Sequence, residues 1–216
     1  MRQRVSRQDQ KQQTRADLVA AAREVFLRRG FHGASLEEIS EQAGYTKGAV
    51  YSNFAGKDEL FLAVLDAQFE QRARILADVL LEQERLEDSY RAVARSIAEA
   101  DEGEPRWTPL LLEFWAHASR RTELRSAVAE RRERFFTIIA GLIAELGSRH
   151  GVEFRLPPKE IARGSNALAR GLALDRLLAP GTAPADLFEE MHTAYAMGLT
   201  RFPEGAAQAR EEASRA

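Results

Sequence analysis

Apolar positions recur along this chain with helical spacing and almost nowhere with the two-residue alternation of a strand. Leu18, Ala22, Val25 and Phe26 fall at i, i+4, i+7 and i+8. They mark one face of a first helix, predicted over Thr14 to Arg29 and stopped by Gly30 as a left-handed C-cap. Ser35, followed three residues later by Glu38, is a capping box that opens a second helix. Leu36, Ile39 and Ala43 form its buried side and Gly44 ends it. Tyr45 alone separates that glycine from Thr46, the N-cap of a third helix running from Lys47 to about Asn53. Two helices joined through a short turn containing glycine are a helix-turn-helix. Lys57-Asp58-Glu59 opens a fourth helix with Phe61, Leu65, Ile75, Val79 and Leu80 on its stripe. At 1.5 Å per residue it approaches about 40 Å, long enough to belong to two domains.

Gly and Pro divide the rest into helices predicted over Leu86 to Ala100, Pro109 to Arg120, Thr122 to Leu146, Pro158 to Leu178 and Ala183 to Phe202. No strand pattern or repeat stands out, and residues 1–12 and 204–216 are expected to fray. The class predicted is all-α.

The short third helix carries the most chemistry. Seven or eight residues do not hold a helix alone in water, so Val50 and Phe54, four apart, must anchor it. Lys47, Gly48, Ala49, Tyr51, Ser52 and Asn53 are left facing outward, small, hydrogen-bonding or basic, with no acid among them. A surface meeting the major groove excludes carboxylates, which phosphates repel, and keeps small residues where the helix nears the bases. Lys57 follows at the start of a helix whose N-terminal amides also suit a phosphate. Charge is distributed in the same sense. The chain is −2 overall, yet residues 1–29 hold eight Lys or Arg against three acids, while residues 61–216 hold 21 basic against 25 acidic residues. A solvated charged tail and a basic head meeting phosphate are both open on that ground.

At these residues the chain resembles a known family. Thr14 to Leu65, above all SLEEISEQAGYTKGAVYSNFAGKDELFLAVL, is similar to the DNA-binding domain of the TetR family of bacterial transcriptional regulators. The resemblance implies an N-terminal three-helix domain with the helix-turn-helix at residues 1–60. A larger helical ligand-binding and dimerisation domain is implied at 61–216. It further implies that Thr46, Lys47, Gly48, Ala49 and Tyr51 lie against the groove, with Ser35, Asn53 and Lys57 at phosphates. Position 53 is Asn here where the family often has His. The implied partners are a palindromic double-stranded DNA operator and a small-molecule inducer that releases a repressor from it. The alternative is a helical interaction module with a degenerate helix-turn-helix, which salt-sensitive DNA binding without a preferred sequence would favour.

Phe69, Trp107, Phe114, Trp115, His117 and Phe135 are candidates for a ligand pocket; core filling is the better reading of any one aromatic residue, and the resemblance raises the cavity reading. The last two helices are apolar for surface elements, and small residues permit close approach. Leu168, Gly171, Leu172, Phe188, Met191 and Tyr195 are predicted to pair with their copies in a homodimer, the other reading being that they close the subunit's own core.

Other chemistry is thin. There is no Cys, which excludes disulfides, Cys-bearing metal sites and thiol catalysis. Gly48 and Gly56-Lys57 lack phosphate-loop spacing, and Asp58 stands where Ser or Thr is needed. Glu189-x-x-His192 is one copy of a motif that a di-iron site needs twice. Neither enzyme, metal nor cofactor is expected. The longest charge-free stretches hold ten residues, short of a membrane span, and the polar N-terminus is not expected to be a signal peptide, so a cytoplasmic protein with no membrane partner is predicted.

Overall fold

The computed structural model describes residues 6–203. Nine helices and one two-stranded ribbon are present among them. They are α1 (Arg7–Gly33), α2 (Leu36–Gln42), α3 (Lys47–Asn53), α4 (Lys57–Glu82), α5 (Leu86–Gly103), α6 (Trp107–Ser119), α7 (Thr122–His150), β1 (Glu153–Phe154), α8 (Pro158–Leu178), α9 (Leu187–Leu199) and β2 (Thr200–Arg201). The chain is all-α, as expected. No helix is long and apolar enough to cross a membrane among the described residues.

Several boundaries differ from expectation: α6 opens at Trp107 rather than Pro109, α7 runs on to His150, α9 spans only Leu187–Leu199, and α1 starts earlier and ends later. Helix α1 begins at Arg7 because Ser6 and Asp9 form a reciprocal capping box, each side chain bonding the other's backbone N–H at 3.1 Å. Residues 7–12 are therefore helical; the remaining expected frayed ends, 1–5 and 204–216, lie outside the described residues. At Ser35 only half of the predicted box forms. The Ser35 Oγ accepts from the Glu38 N–H at 3.1 Å, whereas the Glu38 carboxylate accepts from Arg28 and Arg29. Those two guanidinium groups also hold the Glu38 carboxyl below its usual range. The strands pair antiparallel, Glu153 with Arg201 and Phe154 with Thr200, too short to show alternation in sequence.

The chain forms two compact units. Unit 1 comprises residues 1–69 and 106–131, and unit 2 residues 70–105 and 132–216. α4 and α7 thus contribute residues to both. The core of unit 1 is a continuous apolar cluster in which Leu18, Val25, Phe26, Phe31, Ile39, Val50, Leu60, Phe61 and Phe114 are essentially inaccessible. Its centre is aromatic: Phe61 stacks on Phe114 at 4.0 Å between ring centroids, and Phe26 and Phe31 meet Phe61 edge-on. α1 breaks at Gly30, where φ 73° with ψ 172° is a conformation essentially reserved for glycine. A Cβ there would also stand 2.7 Å from the Glu113 carboxylate, which accepts the N–H groups of Phe31 and His32 at 2.9 and 2.8 Å. The positive φ expected at Gly30 is present, with one further turn beyond it.

Unit 2 packs α5 on α9 and α8 on α9. Tyr90 and Thr200 share a buried hydroxyl bond of 2.8 Å, His192 Nε2 meets Ser165 Oγ at 2.8 Å, and Tyr195 Oη donates to the Ile161 carbonyl at 3.1 Å.

Candidate nucleic-acid interface

The α2–α3 turn is built by backbone bonds that close each helix before the next begins. Ala43 N–H donates to Ile39 O, Gly44 N–H to Glu41 O and Tyr45 N–H to Ser40 O, with Gly44 at φ 71°. Thr46 then caps α3, its Oγ1 accepting from Ala49 N–H at 3.3 Å. Val50 and Phe54 are buried, as their spacing predicted. Two contacts from α1 fix the motif. Asp17 accepts from the Tyr45 hydroxyl at 2.8 Å, and Arg15 donates to the Asn53 carbonyl at 3.1 Å while its guanidinium stacks 4.2 Å from the Phe54 ring centroid. Sequence reasoning assigned Arg15 and Asp17 no part. Their spacing on an amphipathic helix gives no sign of a partner so distant in the chain.

This leaves Thr46, Lys47, Gly48, Tyr51 and Ser52 exposed and Ala49 half-buried. Tyr51 is 54% exposed, high for so large a ring. A Cβ on Gly48 would meet only Thr46 Oγ1, at an ordinary 3.7 Å, so nothing inside the chain requires glycine there. Lys47 pairs with the Glu37 carboxylate of α2 and lies 5.9 Å from the Tyr51 ring centroid. The hydrogen bond between them pulls the Glu37 carboxyl below its usual range and raises the Lys47 ammonium above its own. An acid is therefore present beside α3, supplied by the neighbouring helix.

The residues predicted at phosphates are placed differently from one another. Ser35 is exposed and holds the α2 cap. Asn53 turns back on its own helix, Nδ2 donating to Ala49 O at 2.8 Å, and its buried Oδ1 has no partner among the described residues. Lys57 donates to the carbonyls of His32 and Ala34 at 3.2 and 3.0 Å and lies over Phe31, tying down the α1–α2 connection. Its ammonium is engaged within the unit.

Of the six candidate pocket residues, five belong to unit 1 and one to unit 2. Trp107 and Phe114 are buried in the unit 1 core, with Phe69 and Trp115 packed against it. His117 meets Asp58 at 3.0 Å, and Phe135 belongs to unit 2. Of the predicted dimer residues, Met191 and Gly171 are exposed, Leu168, Leu172 and Tyr195 are half-buried, and Phe188 is 2% exposed, inside its own subunit.

The model of the bacterial regulatory proteins of the tetR family matches residues 18–64. A second model, described as the C-terminal part of BetI-type transcriptional repressors, matches residues 86–201, more than half of the chain. The protein belongs to the TetR family. This TetR-family chain is 49% identical over 51 residues to the transcriptional activator FasR of Mycolicibacterium smegmatis, covering 24% of the chain and 23% of FasR. It shares its fold with a putative TetR-family regulator from Mesorhizobium loti at 22% identity, TM-score 0.70, covering 87% of this chain and 95% of that one. FadR of Bacillus subtilis, solved in complex with stearoyl-CoA, matches at TM-score 0.66 and 16% identity, over 85% and 98% of the two chains. As a member of the family the protein is a transcriptional regulator that binds DNA.

Proposed function

We propose that the protein is a repressor that reads a palindromic operator through α3 and leaves it when a small molecule binds. The observation that carries DNA reading is the free face of α3: Thr46, Lys47, Gly48 and Tyr51 are exposed on a helix anchored from behind by Val50 and Phe54. Gly48, unconstrained from within, suits close approach of a base edge, and Ser35 at the start of α2 suits a phosphate. Lys47 exchanges Glu37 for a phosphate on binding. Asn53 and Lys57 contribute by shaping the motif, and their backbone neighbourhoods flank it. Residues 1–60 carry the DNA reading, and residues 61–216 dimerisation and ligand response.

The dimer reading is supported by an outward stripe on α8, Ala167, Gly171, Leu174 and Leu178, with Leu178 75% exposed. Met191, Ala194 and Gly198 form the counterpart on α9. Both stripes combine small residues with large apolar ones, which suits a four-helix pairing of two copies about a two-fold axis. Release by a small molecule is supported by the stearoyl-CoA complex of FadR, and repression by the BetI-type match.

Selection of bound genomic fragments, followed by affinity measurements across salt, tests the DNA reading. A palindromic consensus with half-sites one or more turns apart is expected. Lys47→Ala should flatten the log–log salt slope by about one unit. Binding without sequence preference would sink the operator reading. A promoter fusion that rises when the protein is supplied would replace repression by activation.

A further inference from the structure

The junction of α1, α4 and α6 within unit 1 holds a feature that DNA reading leaves unused. An open surface pocket of about 380 Å³ is lined by His32, Ala116, His117, Arg120 and Arg121. Small-molecule sites span roughly 300–1,000 Å³. Two carboxylates stand beside the lining, and both are engaged. Glu113 accepts two backbone N–H groups at the break in α1. Asp58 accepts from Arg121 Nη1 at 2.7 Å and meets His117 Nε2 at 3.0 Å. The His32 and His117 rings meet edge-on at 5.4 Å, and Phe31 backs His117 at 4.8 Å. Arg120 forms no ion pair among the described residues. The lining therefore offers guanidinium and imidazole nitrogens and no carboxylate.

We infer that this pocket binds a small organic anion, a carboxylate or a phosphate ester, gripped by Arg120 and Arg121 with His32 and His117 beside them. A guanidinium matches either head group through two parallel N–H bonds. A cationic ligand would meet Arg120, unpaired among the described residues, while Asp58 and Glu113 are already occupied by Arg121, His117 and the α1 amides, with His32 Nε2 4.0 Å from Glu113. A neutral one would displace water from donors that it satisfies poorly. The position also suits control. Asp58 lies in the first turn of α4, next to Lys57, which holds the carbonyls of His32 and Ala34. An anion that draws Arg121 to itself removes one of the two partners of Asp58, at the base of the DNA-reading motif. The site deepens the ligand-controlled reading by naming a place and a chemical class. It is tested on DNA-free protein, so its failure is separable from failure of the operator reading.

The full chain is titrated with four compounds sharing one ring: benzoate, phenyl phosphate, neutral benzamide and cationic benzamidine. Imidazole carbon-bound proton signals of the four histidines are followed by NMR at constant ionic strength, assigned through single His→Gln variants. Saturable shifts confined to His32 and His117 are expected with benzoate or phenyl phosphate, at least tenfold weaker with benzamide and absent with benzamidine. The stronger of the two anions identifies the head group. Arg120→Gln should weaken binding about tenfold or more, with Arg120→Lys recovering part of it. Since Arg120 lies outside the Asp58 network, its replacement leaves the fold intact, which thermal unfolding verifies. Benzamide binding as tightly as benzoate, an undiminished response in Arg120→Gln, or shifts that merely track sodium chloride would each overturn the site.

Discussion

The two units are held together by different chemistry. Unit 1 is organised around four phenylalanine rings and closes over an apolar cluster, with Ser40 as its buried polar residue. Unit 2 buries Ser89, His192, Thr193 and Thr200 among its apolar side chains. It also half-buries Arg72, Asp101, Arg132 and Arg170. Burial holds the Arg72 and Arg170 guanidinium groups below their ordinary range and pushes the Asp101 carboxyl up, against the attraction between them. Dispersion and apolar burial do not depend on pH, whereas desolvated charge does. The aromatic core of unit 1 is thus indifferent to pH, whereas the interior of unit 2 carries desolvated charge.

Breaking the aromatic centre should have the largest effect. Phe114→Ala removes the ring stacked on Phe61 and should cost about 3–5 kcal/mol in chemical denaturation. A loss below about 1 kcal/mol would mean that the phenylalanines fill space without organising it. Acid should test unit 2 next. His192 is buried and its imidazole is pushed down to about 4, from an unfolded value near 6.5. The unfolded chain then binds the extra proton between those pH values. The stabilisation is fully present above about 6.5 and is lost as pH falls toward 4, amounting to about 3 kcal/mol. Urea midpoints for His192→Gln should lack that decline; a parallel decline in both proteins would assign it elsewhere.

A smaller change is expected where charge is replaced by an apolar chain. Arg170→Met leaves Asp101 facing Arg72 and Arg176, so no carboxylate is orphaned, and stability should stay within about 1 kcal/mol of the parent or rise. A loss of 3 kcal/mol would show the guanidinium to be a structural keystone. The smallest effect on stability belongs to Tyr51→Ala, within about 0.5 kcal/mol because the ring packs outward. Its operator affinity should nonetheless fall by about 1–3 kcal/mol, measured by titration against the selected site.

The helix-turn-helix was legible because its signals are local. A cap, an apolar pair four apart and a glycine lie within a few residues of what they control, so Thr46, Val50, Phe54 and Gly44 stand where the pattern put them. Partners chosen by tertiary packing were not legible. Nothing near Lys57 announces that its ammonium will face two carbonyls in the α1–α2 connection, and nothing near Asn53 announces that it will fold onto Ala49. The same limit explains Phe188 and Met191. α9 is apolar on more than one side, so composition alone does not separate its buried flank from its exposed one. Trp107 and Phe114 suited the core better than a pocket by sequence, and the meeting of α1 with α6 places them there.

The Glu113 carboxylate that closes the break in α1 lies 82 positions beyond the Phe31 amide it accepts from. During synthesis at roughly 5–20 residues per second, that separation corresponds to a delay of about 4–16 s. Over that interval the nascent DNA-reading segment carries Phe31, and once it is made Phe61, without the ring that covers them, and a helix break without its acceptor. A fragment ending at residue 69 would remain permanently in that state. The reading head is thus completed by a piece of chain translated long after it, and a ribosome that stalls between the two leaves a sticky, unfinished product for chaperones to hold.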